Sequence, residues 1–277
     1  MIGVGIIAFD RPNYLRRLIS SLEAQTELDG VEFHLFLDGA VNPASGIRYA
    51  EQRNIDICAA LFERAKLPNK HAHVREHNAN IGIASFEATE LLAGSYERIM
   101  QMEDDLVLSP HWFRLARVLW NELDAHPDVY SFNPGFRREH RRAMDPEFVG
   151  AVTYGWNHMW CECFTAERWA RIRPEYMEYH TLISQVDYIE RLEGPVADLY
   201  ARVGMYPELA RSQDGGREMA IRLNGMRRAH LAVNRAIGIG QHGIHFTPEM
   251  FAAMGFEDQR PFIFADDATR GGFEWDD

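Results

Sequence analysis

Three consecutive acidic residues, Glu103-Asp104-Asp105, carry the strongest chemical signal in the sequence. They follow the run Arg98-Ile99-Met100-Gln101-Met102, which predicts a strand. Adjacent carboxylates repel one another unless a cation neutralises them, and a hard divalent ion such as Mn²⁺ or Mg²⁺ takes oxygen ligands and bridges to a diphosphate. Open α/β sheets bind ligands at the carboxyl ends of their strands. The pattern therefore favours a metal site over a solvated acidic turn, the alternative in a chain with 41 acidic residues.

Two further polar groups follow predicted strands near the N-terminus. Asp38-Gly39 comes after an apolar run, where the carboxylate can accept a hydrogen bond from a pyrimidine imide N–H and the glycine permits close approach. An ordinary Asp-Gly turn is the alternative. Asp10-Arg11-Pro12 follows the first apolar run. Here Arg11 can contact a base or a phosphate, or Asp10 can simply help to begin a helix.

The second half of the chain offers weaker candidates. His242 lies in a glycine-bracketed turn three residues before His245. Either histidine can add a nitrogen ligand to a metal or contact a diphosphate, and structural roles for both are the alternative. Asp187 lies in the segment 182–192, which predicts a helix. Its carboxylate is either a general base or an ordinary surface group.

The elements that must position these residues are β/α units. Residues 2–9 form a continuous apolar run, as in a strand covered on both faces, and Pro12 opens a helix. The alternation continues with a strand at 31–37, a helix at 48–64, a strand at 72–74, a helix through 86–92, a strand at 98–102 and a helix that begins at Ser109-Pro110. This pattern predicts an α/β fold with a mostly parallel central sheet flanked by helices and an irregular second half.

Several familiar motifs are absent or out of place. Gly3-Val4-Gly5-Ile6-Ile7-Ala8 has the letters of a dinucleotide-binding fingerprint, but it lies inside the first predicted strand instead of after it. The sequence has no Walker A motif, no Gly-x-Ser-x-Gly elbow and no His-Glu-x-x-His zinc motif. The glycine-rich basic loop of a sugar nucleotidyltransferase is also missing after the first strand.

The composition limits the partners that the protein is expected to bind and the compartment in which it is expected to lie. The formal net charge of −12 argues against non-specific nucleic-acid binding. Three cysteines, Cys58, Cys161 and Cys163, cannot form a disulfide framework and favour a reducing interior. No apolar run is long enough to span a membrane, and the first run lacks the basic region of a signal peptide. We therefore expect a cytoplasmic protein without a transmembrane segment. Any peripheral attachment to the inner membrane would be through a partner.

Together these residues resemble a known family, the GT-A fold nucleotide-diphospho-sugar glycosyltransferases. The likeness is greatest to the N-acetylglucosaminyltransferase I type and looser to the inverting family 2. It is carried by Asp10-Arg11-Pro12, Asp38-Gly39, Glu103-Asp104-Asp105 with the following residues 106–113, the segment 155–164, and Gly240-Gln241-His242-Gly243. The resemblance covers residues 1–125 well and the rest in patches.

The resemblance implies the metal-dependent transfer of a sugar, N-acetylglucosamine, from a UDP-sugar to a saccharide or glycoconjugate acceptor. It implies that Asp105 ligates Mn²⁺ or Mg²⁺, with His242 near the ion, and that Asp38 holds the uracil. Further implied roles are donor binding by Asp10, Arg11, Glu103, Asp104 and Trp156, and proton abstraction by Asp187. Tyr154, Trp156 and Trp160 offer flat faces for sugar rings, with core packing as the alternative.

One departure leaves the base open. The family has adjacent acids beside a tryptophan in its base region, whereas this chain has Ser184-Gln185-Val186-Asp187-Tyr188. Both Asp187 as the base and the inverting stereochemistry are therefore hypotheses.

The expected organisation is a single GT-A domain, with a nucleotide-sugar-binding half at 1–108 and an acceptor-side half at 109–277. Two other functions remain open: a nucleotidyltransferase or phosphohydrolase on a related α/β scaffold, and a non-catalytic UDP-sugar-binding subunit. UDP binding without turnover would indicate the subunit. The expected partners are the UDP-sugar, the acceptor and other polysaccharide-synthesis enzymes.

Overall fold

Strands and helices alternate through the first half of the chain, as the sequence predicts. The computed structural model describes residues 1–135, 150–155, 160–184, 186–187, 190, 193–205, 212–243, 247–258 and 273–275. Its strands are β1 (Ile2–Ala8), β2 (Val31–Leu37), β3 (Lys70–Val74), β4 (Arg98–Glu103), β5 (Leu106–Leu108), β6 (Val129–Asn133), β7 (Ala151–Tyr154), β8 (Cys161–Thr165), β9 (Arg227–Leu231), β10 (Ala236–Gly238) and β11 (Glu274–Trp275). Its helices are α1 (Pro12–Glu23), α2 (Gln52–Arg64), α3 (Ile81–Ser95), α4 (Trp112–Leu123), α5 (Ala166–Ile183), α6 (Glu193–Ala201), α7 (Gln213–Leu223) and α8 (Pro248–Ala253).

One large sheet forms the centre of the molecule, with the strand order β11-β7-β9-β6-β8-β4-β1-β2-β3. The strands β3, β2, β1 and β4 are all parallel, so their carboxyl ends meet at one edge. Strand β8 pairs antiparallel with both β4 and β6 and joins the two halves of the chain in this sheet. The short strands β5 and β10 form a separate antiparallel ribbon directly after the acidic triplet.

Helices cover both faces of the sheet. One buried apolar cluster joins the strands to α1, α2 and α4, and a second joins them to α3, α5, α6 and α7. All seven residues of β1 are buried, as expected for a strand covered on both sides. The fold is therefore the mixed α/β architecture that the sequence predicts, with a large, mostly parallel sheet between helical layers.

The glycines of β1 have a packing role. A Cβ on Gly3 would lie 2.2 Å from the ring of Tyr96, and a Cβ on Gly5 would lie 2.7 Å from Leu92. Leu92 lies in α3 and Tyr96 directly follows it, so the two glycines allow the end of this helix to pack directly on the sheet. The glycine pattern lies within a strand, and its rejection as a dinucleotide fingerprint is confirmed.

Three predicted helix boundaries are wrong. The helix predicted to begin at Ser109-Pro110 begins at Trp112, after the N-cap residue His111. The helix predicted at 48–64 begins at Gln52, because residues 39–50 form a loop closed by a bridge between Val41 and Arg48. In the segment 182–192, also predicted to be a helix, the structure describes residues 182–184, 186–187 and 190, and Asp187 is not helical. Helix α5 ends at Ile183, and the backbone N–H of Glu190 donates to the carbonyl of Asp187 in a separate turn.

The structure also bears on the predictions about the cysteines and about membrane-spanning segments. Cys58, Cys161 and Cys163 are free, buried thiols. None of the described helices is both long and apolar enough to cross a membrane.

Candidate functional site

The predicted site residues from the first half of the chain meet at the carboxyl edge of the parallel strands. Asp38 directly follows β2, Glu103 is the last residue of β4, and Arg11 lies at the start of α1 just beyond β1. A pocket opens between these strand ends. It is lined by Ile7, Ala8, Phe9, Arg11, Asp38, Tyr49, Asn78, Asn80, Ile81, Ala84, Glu103 and Asp104.

Arg11 binds two carboxylates of the acidic triplet. Its Nη1 lies 2.9 Å from Oδ2 of Asp105, and its Nη2 pairs with Oδ1 of Asp104. Burial acts to lower the pKa of Arg11, but the charges of Asp104 and Asp105 outweigh it and raise the pKa. Arg11 is therefore a permanent cation that partly neutralises the triplet.

Each of these two carboxylates has one oxygen that does not bind Arg11. Oδ2 of Asp104 and Oδ1 of Asp105 are buried and have no hydrogen-bond partner in the described part of the chain. Gly240 lies so close to Asp105 that a Cβ there would be 2.3 Å from its Oδ2. Buried carboxylate oxygens without a donor are the ligands that Mn²⁺ and Mg²⁺ prefer. The residues present therefore fit a divalent cation.

The positive charge next to the acidic groups does not balance their negative charge. Burial raises the pKa of Asp104 to about 6, although Arg11 acts in the opposite direction. Burial also raises the pKa of Glu103 well above its ordinary value, and the charges of Asp105 and Asp214 add to this effect. The pKa of Asp10 is raised by burial too. One guanidinium does not balance this set, so an added cation would stabilise the ionised carboxylates.

Asp38 binds the polar loop that follows β3. Its Oδ1 accepts hydrogen bonds from the backbone N–H groups of Gly39 (3.1 Å) and Ala79 (2.9 Å), and its Oδ2 accepts one from Asn80 (3.0 Å). Asn80 has a φ of 77° and caps α3 through its side chain. Burial nevertheless raises the pKa of Asp38. The carboxylate therefore fixes one wall of the pocket, a role that the sequence analysis did not predict. Its Oδ2 accepts a single hydrogen bond here and can accept another.

His242 contributes its backbone to the same region. Its carbonyl oxygen lies 3.4 Å from Nη1 of Arg11, and its N–H donates to the hydroxyl of Tyr14 over 3.1 Å. The residue is exposed. The structure thus brings the loop of His242 to Arg11, whereas His245 lies outside the described residues.

The aromatic candidates are packed against other side chains where they are described. The ring of Trp160 lies 5.1 Å from that of Phe256, and the guanidinium of Arg227 lies 3.4 Å above the ring of Tyr154. These contacts agree with the core-packing alternative. Trp156 lies outside the described residues.

Asp187 is neither on a helix nor on the surface. It follows α5 and precedes α6 in the chain, and it is fully buried. Its Oδ1 accepts a hydrogen bond of 2.7 Å from the hydroxyl of Tyr49, and its Oδ2 accepts one from Ser45. Both donors belong to the loop 39–50, and Tyr49 lines the pocket. The carboxylate thus anchors a wall of the pocket.

A carboxylate that the sequence analysis missed lies beside the site. Asp214 is in the first turn of α7, and its Oδ1 is buried without a partner in the part of the chain described. Burial raises the pKa of Asp214 to about 6, against the lowering effect of Arg228. Its neighbour Gln213 lines a small cavity together with Glu103. The signal in the sequence is an acid in the first helical turn after Ser212, a helix-start pattern.

Beneath Asp214, a buried ion network ties α7 to the sheet. Glu162 of β8 pairs with Arg217 of α7 (2.9 Å) and with Arg228 of β9 (2.7 Å). Arg228 also pairs with Glu218 over 2.8 Å. Because these charges are far apart in sequence, no local pattern could have predicted the network. It fixes α7 relative to β8 and β9.

Comparisons with known proteins give structural matches alone. No protein-family model and no curated protein matches the sequence. Residues 1–349 of TarS from S. aureus in complex with UDP-GlcNAc match with a TM-score of 0.50 and 12% identity, over 88% of this chain and 60% of that chain. The mannosyltransferase PcManGT from Pyrobaculum calidifontis, in complex with GDP-Man and Mn²⁺, matches with a TM-score of 0.48 and 12% identity, over 84% and 54%.

The likeness to TarS shows the fold: the chain has the GT-A architecture of glycosyltransferases. At 12% identity it shows nothing beyond the fold. The chain spans about 60% of residues 1–349 of TarS and about half of PcManGT.

Proposed function

We propose that this protein is a metal-dependent glycosyltransferase that moves N-acetylglucosamine from a UDP-sugar to a saccharide or glycoconjugate acceptor. The observation that carries the proposal is the arrangement of Asp104 and Asp105 at the end of β4. Each carboxylate pairs with Arg11 through one oxygen. Its second oxygen is buried and has no hydrogen-bond partner in the described structure. Arg11 and Asp104 line a pocket at the carboxyl edge of a GT-A sheet. The choice of donor follows the UDP-GlcNAc in the TarS complex.

In this proposal Asp104 and Asp105 hold Mn²⁺ or Mg²⁺, with His242 as a further ligand. When bound, the ion neutralises the charge that develops on the departing diphosphate. Arg11 supplies a second, permanent positive charge next to the same carboxylates. Two cationic groups at one point favour the binding of a diphosphate over a neutral ligand.

The remaining pocket residues bind and orient the donor. Asp38 retains acceptor capacity on Oδ2, which suits the imide N–H of uracil. Glu103 lines the pocket at the end of β4, where its carboxylate can accept a hydrogen bond from a sugar hydroxyl. Asp10 and Trp156 complete the proposed donor-binding residues.

The catalytic base is assigned to Asp214 in preference to Asp187. Both oxygens of Asp187 already accept hydrogen bonds, whereas Oδ1 of Asp214 is unpartnered among the described residues. Asp214 takes the proton of the acceptor hydroxyl while that oxygen bonds to the anomeric carbon and the bond to the diphosphate breaks. Direct displacement of this kind inverts the anomeric centre.

The two halves of the chain have separate roles in this proposal. Residues 1–108 supply the donor side, and residues 109–277 supply Asp214 and the acceptor side. We retain the proposal that they form a single domain, supported by the pairing of β8 with β4 across the halves. Association with other polysaccharide-synthesis enzymes remains an expectation.

The test is UDP release from a panel of UDP-sugars, with and without Mn²⁺. The wild-type protein is compared with Asp105→Asn and with Asp29→Asn, an exposed control outside the pocket. We expect Mn²⁺-dependent release from UDP-N-acetylglucosamine that is lost in Asp105→Asn alone. UDP binding without turnover of any donor, even with acceptors supplied, would indicate a non-catalytic binding subunit. Failure to bind UDP would reject the proposal altogether.

A further inference from the structure

A second cluster of potential metal ligands lies on β2 and β3, away from the acidic triplet. Glu32 and His34 alternate along β2, and His71 and His73 alternate along β3. The register places His34 opposite His71 and Phe36 opposite His73. Since alternate residues of a strand share a face, all four polar side chains emerge on the same side of the sheet. The proposed sugar transfer makes no use of them.

The cluster is separated from the donor pocket along the strands. His34 lies opposite Gly5 of β1, whereas the pocket residue Ile7 lies opposite Glu103. Asp38 lies four positions after His34, or about 13 Å along an extended strand. An ion bound here would therefore not contact Asp104 or Asp105.

The ligand atoms converge. One atom from each of Glu32, His34 and His71 lies within 4.8 Å of the other two. Nε2 of His71 is 3.6 Å from Oε2 of Glu32. The rings of His34 and His71 lie 4.7 Å apart at an angle of 23°. To share one ion the three donors must move closer together, because zinc–nitrogen and zinc–oxygen bonds are about 2.0–2.2 Å long.

Neighbouring groups orient these ligands. The hydroxyl of Tyr96 lies 2.7 Å from Nε2 of His34 and donates to Oε2 of Glu32 over 2.7 Å. Nε2 of His73 lies 3.0 Å from the other ring nitrogen of His34. A hydrogen bond at the ring nitrogen that does not bind the ion, here the one between His34 and His73, fixes the ring orientation and tautomer of a metal-ligating histidine. An ion held by Nε2 of His34 and by Glu32 would displace the Tyr96 hydroxyl from its bridging position.

We propose that Glu32, His34 and His71 form a binding site for a zinc-type transition-metal ion. Two imidazole nitrogens and one carboxylate oxygen suit Zn²⁺, whereas Mg²⁺ and Mn²⁺ favour an oxygen-rich set such as the acidic triplet. His71 is exposed and gives the ion access from solvent, while His34 is buried. The ion ties β3 to β2, and β3 is the edge strand of the described sheet. This site does not depend on the proposed function.

The test measures Zn²⁺ bound at equilibrium to the full chain by dialysis and elemental analysis. Wild-type protein is compared with His71→Gln, which removes an exposed ligand, and with His77→Gln, an exposed control. Asp105→Asn is included to remove the donor-pocket site. We expect the wild type, His77→Gln and Asp105→Asn to bind about one Zn²⁺ more tightly than His71→Gln, by at least about a hundredfold. Equal binding by His71→Gln would overturn the proposal, as would loss of binding in Asp105→Asn.

Two further measurements keep the test independent of folding defects and of activity. Substitution with Co²⁺ should give the visible absorption of a low-coordinate nitrogen and oxygen site in wild type and lose it in His71→Gln. Zn²⁺ should raise the thermal midpoint of the wild type but not that of His71→Gln, because an ion that binds the native state alone stabilises it. A midpoint raised equally in both variants would show adventitious binding and would reject the site.

Discussion

The hydroxyl of Tyr49 donates a hydrogen bond of 2.7 Å to Oδ1 of Asp187, across 138 positions of sequence. Ser45 donates to the other oxygen of the same buried carboxylate. Burial raises the pKa of Tyr49, and the bond to Asp187 adds to the effect, so the hydroxyl remains a donor. Because Tyr49 lines the pocket, we expect Asp187 to act as a positioning residue for the donor side of the proposed site.

Replacing Asp187 therefore tests whether this residue positions the pocket loop or acts as the catalytic base. In Asp187→Asn one hydrogen-bonded oxygen becomes an amide, and the loop 39–50 loses part of its anchor. We expect the donor KM to rise about tenfold, with a smaller change in kcat, and the free energy of unfolding to fall by about 2 kcal/mol. Tyr49→Phe should give a similar rise in KM. Steady-state kinetics and denaturant unfolding make the comparison. A loss of kcat above a thousandfold without a change in KM would instead restore Asp187 as the base.

Asp214 should determine the acidic limb of the pH profile. Its pKa is raised to about 6, and a base must be deprotonated, so kcat should increase with pH through about 6 and then level off. The charged groups that influence Asp214 or lie next to it are Glu103, Glu162, Arg217 and Arg228.

Asp214→Asn should lower kcat by about a hundredfold to ten-thousandfold and remove that limb. Asp198→Asn on α6 is an exposed control and should leave the profile unchanged. The measurement is kcat against pH at saturating donor and acceptor. If Asp214→Asn kept the limb at the same pH, another group would be the base.

Arg11 should stabilise the acidic triplet when no metal is present. Arg11→Met leaves Asp104 and Asp105 without their shared cation, and breaking a partly buried pair of this kind costs about 3 kcal/mol. Added Mn²⁺ should restore more stability to this variant than to the wild type, because the ion neutralises the same carboxylates. Thermal unfolding with and without Mn²⁺ measures the difference. The control is Arg16→Met, an exposed arginine of α1. Equal responses of both variants to Mn²⁺ would contradict the predicted exchange.

The part of this site that the sequence predicted depends on local patterns. Apolar runs fix β1, β2 and β4, and an acid that directly follows such a run must lie at the carboxyl edge of the sheet. Asp38 and Glu103 could therefore be placed from their neighbours in the chain alone. The alternation of strands and helices likewise determined the α/β class, because each unit is encoded within about thirty residues.

The rest depends on contacts between distant segments. The burial of Asp187 follows from two hydroxyls in the loop 39–50, and nothing near position 187 encodes them. The hydrogen bonds from Ala79 and Asn80 to Asp38 also required the folded loop. For Asp214, the helix-start signal was present, but only the approach of α7 to β4 shows its relation to Glu103.

Gly240 provides the most local test of the metal site. A Cβ at this position would lie 2.3 Å from Oδ2 and 2.9 Å from Cγ of Asp105, so Gly240→Ala must displace that carboxylate. The backbone of the same turn is already fixed to Asp105, because the N–H of Ile239 donates to its carbonyl over 2.7 Å. The loop therefore cannot retreat without breaking this bond.

We expect Gly240→Ala to weaken Mn²⁺ binding and Mn²⁺-dependent UDP release by about tenfold or more, a change of at least about 1.4 kcal/mol. The matched control is Gly94→Ala in α3, where a Cβ meets nothing within 4 Å. That change should leave activity intact and stabilise the fold by up to about 1 kcal/mol, because alanine favours a helix over glycine. Mn²⁺ titration and UDP release measure both variants. Wild-type Mn²⁺ affinity in Gly240→Ala would place the ion away from Asp105, since the displaced carboxylate could not then be its ligand.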